Sequence, residues 1–236
     1  MSLAAGVEAA LTTEAKIAAA QELVWRELAA YPRDAVVTNS FQAEDMVLLH
    51  MARQTRPDVP VIFLDTGYHF AEVYEYRDRM EREWAMNLTS LLPELTVAQQ
   101  EAHFGILNQV DPGKCCQMRK VKPLFAALEG YRLWLTGLRR EQAKSRAALK
   151  EIDDFALPSG KSIRKISPLT EWTAKDVWTY AADHGIPLSN LYERGYTSIG
   201  CEPCTSLPLD PNDPRSGRWG GQKLECGIHL QGSQSH

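Results

Sequence analysis

Pro60-Val61-Ile62-Phe63-Leu64-Asp65-Thr66-Gly67 is the stretch that decides the fold. Its unbroken apolar run reads as a strand buried on both faces, the kind found in parallel sheets. Thr66 and Gly67 turn the chain, and Phe70, Val73, Tyr74, Met80 and Trp84 then recur at helical spacing. The same order of strand, polar turn and helix occurs upstream. There, the apolar residues 35–38 run into Asn39-Ser40-Phe41-Gln42-Ala43-Glu44-Asp45, and a helical pattern follows over 46–52. Downstream, residues 131–136 carry Leu133, Trp134 and Leu135 and end in Thr136-Gly137. Strands alternating with helices predict an α/β fold, a parallel twisted sheet with flanking helices and a ligand crevice at the carboxyl ends of the strands. Three polar turns, 40–45, 65–67 and 136–146, are expected to line one cleft.

Working outward, residues 14–30 have the periodicity of an amphipathic packing helix, through Ile17, Ala20, Leu23, Val24 and Leu28. Residues 162–166 read as an edge strand. A further helix is expected over 173–184, with Thr173 as N-cap and Gly185 as its stop. From Pro187 the chain is loop-like, and residues 208–221 have the Pro, Gly and Asp density of an irregular, mobile segment. The organisation expected is therefore one α/β unit over residues 1–207 followed by a mobile tail, 208–236.

The chain has 236 residues, a formal net charge of −4 and five cysteines. An odd cysteine count without dense spacing argues against a disulfide framework, and a chain of this length needs no covalent staple. Acidic residues among the first twenty argue against a secretory signal, and no apolar run approaches a membrane span. These features predict a soluble cytoplasmic protein with reduced thiols. The negative net charge, with lysines and arginines interleaved among acids, speaks against a nucleic-acid surface. An anionic ligand must therefore meet a local cluster of cations.

The cysteines fall as an adjacent pair, Cys115-Cys116, a Cys201-Glu202-Pro203-Cys204 pair, and a single Cys226. Cys201-x-x-Cys204 alone fits half a zinc site, a redox pair or two small buried residues. Neighbouring thiols diverge from the backbone, so Cys115 and Cys116 are awkward ligands for one ion, whereas a cubane cluster offers them separate irons. On spacing alone an iron-sulfur cluster, zinc, a vicinal disulfide and packing all stay open. Arg119 and Lys120, about one helical turn further on, read either as solvated helix charges or as cations facing the cluster and an anionic substrate. The 39–45 loop lacks the glycines and lysine of a Walker motif, yet its place between strand and helix suits a phosphate.

Arg139, Arg140, Lys144 and Arg146 follow a strand end, and Arg215 and Arg218 lie in the tail. Planar guanidinium groups match sulfate and phosphate oxygens well, and cleft placement singles out Arg139. Cys226 stands beside Gly227 and close to His229, and nearby cations would favour its nucleophilic thiolate. The remaining histidines, His50, His69, His103, His184 and His236, are read as structural or exposed.

Taken together, Cys115-Cys116-x-x-Arg119-Lys120, Cys201-x-x-Cys204, Glu225-Cys226-Gly-x-His229, the 40–45 loop and Thr136-Gly-x-Arg139 resemble the assimilatory adenylyl-sulfate (APS) reductases, over nearly the whole chain after residue 34. The resemblance implies a fold like that of the adenine-nucleotide alpha hydrolases. It also implies a 4Fe-4S cluster on Cys115, Cys116, Cys201 and Cys204. The implied reaction is reduction of adenosine 5'-phosphosulfate to sulfite and AMP, in sulfate assimilation and cysteine biosynthesis. Cys226 would attack the sulfate sulfur, and thioredoxin or a similar dithiol protein would release sulfite from the resulting S-sulfocysteine. Ser40, Asp45, Leu64 and Gly137 would surround the nucleotide, with Lys120 and Arg139 near phosphate or sulfate and Arg215, Arg218 and His229 arriving with the tail. A homo-oligomer is compatible with the resemblance. The rival readings are a reductase of the 3'-phosphorylated nucleotide (PAPS) or one accepting both nucleotides, an adenylating tRNA-thiolating enzyme of the same fold, and a non-catalytic iron-sulfur sensor.

Overall fold

The computed structural model describes residues 12–221, 225, 227 and 228. A single six-stranded sheet forms the centre, in the order β3-β2-β1-β4-β6-β5. Its strands are β1 (Ala35–Thr38), β2 (Pro60–Leu64), β3 (Asn87–Leu91), β4 (Leu133–Leu135), β5 (Ile152–Ala156) and β6 (Ser162–Ile166). All neighbours run parallel except β5, which pairs antiparallel with β6 at one edge. The helices are α1 (Thr13–Ala30), α2 (Ala43–Thr55), α3 (Ala71–Glu83), α4 (Val97–Phe104), α5 (Leu107–Val110), α6 (Pro112–Cys116), α7 (Lys122–Leu128) and α8 (Ala174–Asp183). A π-helical turn, Gln117–Val121, joins α6 to α7.

Both faces of the sheet are covered, and the two-residue repeat of a strand sorts its side chains between them. On β1, Ala35 and Val37 enter the larger core, while Val36 enters the smaller one. Val61 and Phe63 alternate in the same way with Ile62 on β2, and Leu133 and Leu135 with Trp134 on β4. The larger core is closed by α1, α2, α3 and α8, and the smaller by Leu124 and Leu128 of α7 together with Phe155 and Ile163. Burial on two sides explains why these strands read as continuous apolar runs.

One sequence expectation changes and another holds. Residues 162–166 do form a strand, but β6 lies between β4 and β5, so it is not an edge. The edge is β5, whose Ile-Asp-Asp-Phe-Ala sequence carries two acids and shows no apolar run. The helix over 173–184 forms as α8, and the Thr173 hydroxyl accepts the Asp176 N–H while Asp176 returns a bond to the Thr173 N–H, a reciprocal cap. Gly185, at φ +60°, ends it in the left-handed region that glycine adopts freely.

The strand order reverses at β1, since β2 lies on one side of it and β4 on the other. In open α/β sheets a crevice forms at such a switch point, beyond the carboxyl ends of the strands. Among the described residues, no helix is long and apolar enough to cross a membrane.

Candidate active site

A cavity of about 650 Å³ opens at that switch point. The turns after β1 and β4 form its floor, contributing Ser40, Asp45, Gly137 and Arg139, with Leu64 from the end of β2 and Lys120 from the π-helical turn. Arg215 and Arg218 close it from the C-terminal side. These eight residues, each a candidate from the sequence, therefore share one cavity. Cys226 and His229 lie outside the described residues, but Glu225 and Ile228 on either side of Cys226 both line the cavity.

The β1 turn is held by its own side chains. The Asp45 carboxylate accepts the Ser40 N–H at 2.8 Å, the Ser40 hydroxyl at 2.5 Å and the Gly137 N–H at 3.2 Å, tying the β1 and β4 turns together. Burial drives the Asp45 carboxyl up to about 6 against these bonds. A Cβ on Gly137 would stand 2.4 Å from Asp45 Oδ1 and 3.0 Å from the Asp45 nitrogen, so only glycine permits this approach. Phe41 adopts φ +61°, unusual for a bulky residue, and buries its ring edge-on against Phe63 and Tyr76. The N–H groups of Ser40, Phe41 and Ala43 are satisfied by Asp45, Asn39 and the Tyr192 hydroxyl.

Most of the cationic lining is paired with carboxylates. Arg139 is buried, with Nε and Nη2 on Glu44 and Nη1 on Glu141 and the Trp172 carbonyl. Every guanidinium nitrogen of Arg139 thus has a protein acceptor. Arg146 forms a two-pronged pair with Glu225, at 2.8 and 2.9 Å, and Arg215 approaches the same carboxylate at 3.5 Å. Arg218 reaches Ser198 Oγ and packs on the Trp219 ring. Gly200 makes room for it, because a Cβ there would lie 2.0 Å from the Arg218 guanidinium.

Residues 208–221 form successive turns fastened to the segment before them. Ser206 N–H bonds to the Gly217 carbonyl at 2.9 Å, and Thr205 pairs with Arg218 as an isolated antiparallel bridge. Gly217 is required by proximity, since a Cβ would meet the Ser206 carbonyl oxygen at 2.3 Å. These contacts deliver Arg215 and Arg218 to the cavity.

A second, much smaller cavity lies alongside, walled by Cys115, Cys116, Cys201 and Cys204 with Lys120 and Trp219. Lys120 and Trp219 thus line both cavities. Asp111 caps α6 by accepting the Lys114 N–H, which sets the adjacent cysteines at its last turn. The other pair belongs to a short turn, Glu202–Cys204, anchored where Glu202 N–H meets the Tyr68 carbonyl and His69 pairs with Cys201. The 65–67 turn, expected on the large cavity, instead serves the thiols: Thr66 Oγ1 is 3.2 Å from Cys201 Sγ, and the Thr66 carbonyl accepts from Arg119. Arg119 is buried and bonds further to Gln100 and the Leu95 carbonyl, so it is a structural cation, not a solvated one.

The thiol environment is electrostatically divided. Burial raises Cys115, and burial with the neighbouring Cys201 pushes Cys204 up to about 11. Cys201 is buried too, yet Lys120, Thr66 and Arg218 outweigh that effect and lower its thiol below the ordinary value. Among the described residues, no group of three or more His, Cys, Asp or Glu side chains is arranged to hold a metal ion.

The sequence reading passed over several cavity residues. Glu44, Glu141, Tyr192 and Trp219 line it, as does His69, read as structural. Burial lowers His69 to about 4, and its Nε2 lies 2.8 Å from the Leu64 carbonyl, an arrangement of a neutral ring donating its proton. Glu225 had a signal in its adjacency to Cys226, whereas Tyr192 and Trp219 had none.

Comparison with known proteins agrees with this architecture. Residues 34–207 match the family described as phosphoadenosine phosphosulfate reductase domain. The adenosine 5'-phosphosulfate reductase of Geobacillus thermodenitrificans (strain NG80-2) is 45% identical over 206 residues, 85% of each chain. That of Streptomyces coelicolor is 46% identical over 195 residues, 82% of this chain and 80% of the other. The crystal structure of phosphoadenylyl-sulfate (PAPS) reductase from Candida auris in a phosphate complex superposes with a TM-score of 0.67 at 25% identity. It covers 81% of this chain and 96% of that one. FMN adenylyltransferase from Candida glabrata, at 15% identity and a TM-score of 0.61 over 90% of this chain and 75% of its own, shares the fold.

Proposed function

The chain belongs to the phosphoadenosine phosphosulfate reductase family, and from that premise we propose that it reduces adenosine 5'-phosphosulfate to sulfite and AMP in sulfate assimilation, supplying cysteine biosynthesis. The observation that carries the reading is the cation-lined switch-point cavity sharing Lys120 and Trp219 with a four-thiol pocket. Similar relatives are named for the unphosphorylated nucleotide.

The chemistry follows from the lining. The Cys226 thiolate attacks the sulfate sulfur, the bond from that sulfur to the bridging oxygen breaks, and AMP leaves with the electron pair. A cysteine S-sulfonate remains. A dithiol protein such as thioredoxin then attacks Cys226 Sγ, expelling sulfite. Its second thiol resolves the mixed disulfide, so the dithiol provides both electrons and Cys226 returns as a thiol. A thiolate meeting an anionic sulfate is repelled, and Lys120, Arg215 and Arg218 around the cavity stabilise the crowded charge. Ser40, Asp45, Leu64 and Gly137 surround the nucleotide, with Arg139 bracing the two turns. His229, three residues after Cys226, would hydrogen-bond the thiol or a substrate oxygen. Residues 208–236 form the tail that brings Cys226 in, and such a tail must also present it to a protein reductant.

Cys115, Cys116, Cys201 and Cys204 would hold a 4Fe-4S cluster. An all-thiol set lining one cavity supports this, since a cubane cluster offers each thiolate its own iron. When bound, the cluster supplies iron–thiolate bonds that join α6 to the 201–204 turn beside the substrate. Reduced thiols and a dithiol partner suit the cytoplasm.

The test is anaerobic incubation with APS and, separately, PAPS, followed by intact-mass analysis. A sulfonate-sized increment from APS, absent in Cys226→Ser, is expected. An increment retained in Cys226→Ser, or none from APS, refutes the reading. An increment from PAPS alone or from both nucleotides identifies the rival specificity, which the family description and the Candida auris neighbour favour.

A further inference from the structure

Glu225 precedes Cys226 in the chain and is buried, 8% exposed. Its carboxylate accepts Arg146 Nε at 2.8 Å and Nη2 at 2.9 Å, Ser145 Oγ at 3.1 Å and Arg215 Nη2 at 3.5 Å. The Arg146 geometry is the two-pronged match between guanidinium and carboxylate, which fixes direction as well as distance. Arg146 in turn is held by Gln142, whose side chain also takes the Arg139 N–H. The carboxylate is thus connected to the β4 turn that floors the cavity.

A second anchor lies on the other side. Ile228 is buried and packs in the smaller core with Val121, Leu124 and Leu128. Gly227, between them, adopts φ +89°, a left-handed conformation that glycine tolerates. Glu225 and Ile228 thus fasten this stretch of chain to the cavity wall at two buried points.

A carboxylate beside a nucleophile that attacks an anionic group would oppose the reaction if its charge were bare. Burial pushes the Glu225 carboxyl up, but Arg146 and Arg215 overcome this and hold it below the ordinary value, so it stays ionised and compensated. The pair therefore supplies a directional hold with little net field at the reacting sulfur.

We propose that Glu225 is a positioning residue that latches the Cys226 segment onto the cavity through its paired bond with Arg146, with Ile228 as the apolar second point. The proposal rests on Cys226 as the sulfonated nucleophile. It predicts that the latch governs the first half-reaction, sulfonation, and not the second, in which the segment must leave the cavity for the dithiol.

The experiment uses the full chain prepared anaerobically, with single-turnover mass analysis of sulfonation by APS and of sulfite release by thioredoxin. Loss of one charge-assisted contact makes the expected slowing of sulfonation in Glu225→Gln about 10- to 100-fold. Release should be unchanged or faster, and Glu225→Asp should recover part of the rate. Because the two residues act as a unit, Arg146→Gln should add little when combined with Glu225→Gln. In a separate arm without APS, peptide mapping follows iodoacetamide alkylation of Cys226, expected to be several-fold faster in Glu225→Gln. Ile228→Ala should move both arms the same way, and it serves where the glutamate variant does not fold. Sulfonation at the wild-type rate, equal slowing of both half-reactions, or unchanged alkylation overturns the latch. If the wild-type chain takes no sulfonate from APS, the functional reading fails, and the alkylation arm alone then decides whether residue 226 is held.

Discussion

Gly137→Ala tests the claim that the β1 and β4 turns form a single unit. The added Cβ would lie 2.4 Å from Asp45 Oδ1 and 3.0 Å from both the Asp45 nitrogen and the Glu44 carbonyl carbon. Two of these are backbone atoms at the start of α2, which cannot yield by rotating a side chain. Either α2 shifts or the β4 turn lifts, and both break the Gly137 N–H bond to Asp45. Overpacking costs about 1–3 kcal/mol, and a lost bond to a charged acceptor about 1.5–3 kcal/mol. With partial relaxation the sum is about 2–5 kcal/mol, or roughly 4–20 °C in Tm for a chain of this size. The control is Gly130→Ala, where the nearest atom to a new Cβ is a carbonyl oxygen at an ordinary 3.5 Å. That change should be neutral, or stabilising by about 0.5 kcal/mol through the unfolded chain. Thermal melting by circular dichroism gives the stability difference, and the KM for APS reports the cavity. Equal melting temperatures for the two variants, with an unchanged KM in Gly137→Ala, would refute the reasoning.

Asp45 gives a pH signature. Its folded carboxyl titrates near 6, above the usual range, so between about pH 4 and 6 the folded chain holds more protons than the unfolded one. Its contribution is fully present below the unfolded value and is lost as pH rises through the folded value. Urea midpoints of Asp45→Asn measured from pH 4 to 8 should lack this downward component, and identical slopes would exclude it. Cys201→Ala, which removes the buried thiol that contacts Thr66 and feels the Lys120 charge, should abolish bound iron and acid-labile sulfide together. Iron and sulfide assays check this, and zinc without sulfide in the wild-type protein would refute the cluster. Asp176→Ala removes the reciprocal cap of α8 and its bonds to Lys16 and Thr13 of α1. It should cost about 2–3 kcal/mol, read as a lower urea midpoint without change in the APS reaction.

The central strands were legible because both of their faces are buried. Residues 35–37 and Leu133–Leu135 cannot be mistaken for surface, and the turns that follow them hold the polar residues of the cavity. Edge strands lack that signature. β3 reads Asn-Leu-Thr-Ser-Leu with largely exposed positions, and β5 carries Asp153 and Asp154, so neither announces itself as a strand. Missing β5 is what made β6 look like an edge. The 65–67 turn was expected beside the others because it ends a neighbouring strand. Its direction toward the thiols depends on long-range contacts, Thr66 with Cys201 and Arg119 with the Thr66 carbonyl, which no local pattern encodes. The same holds for Trp219, which reaches both cavities from a turn at φ +50°.

The arginines show why residue type alone under-determines a role. Arg119, Arg139, Arg146 and Arg218 are all cationic and all near the two cavities, and the sequence singled out only Arg139 among them, by its place after a strand end. Burial separates them, because a buried guanidinium must find acceptors, and those acceptors define its task. Arg119 takes the Thr66 and Leu95 carbonyls and Gln100, which ties the thiol turn to the π-helical turn. Arg139 takes Glu44 and Glu141, joining α2 and the approach to α8 across the cavity floor. Arg146 takes Glu225 and so holds the C-terminal segment. An anion entering the cavity can bind Arg139 or Arg146 only by displacing a carboxylate already in two-pronged contact. Arg139 and Arg146 thus frame the cavity, and we propose first contact with a sulfate or phosphate group for Lys120, Arg215 and Arg218, which also line it. Arg215→Ala should therefore raise the KM for APS with little change in melting temperature, whereas Arg139→Ala should lower the melting temperature as well. Comparable melting losses in the two variants would reverse that division of labour.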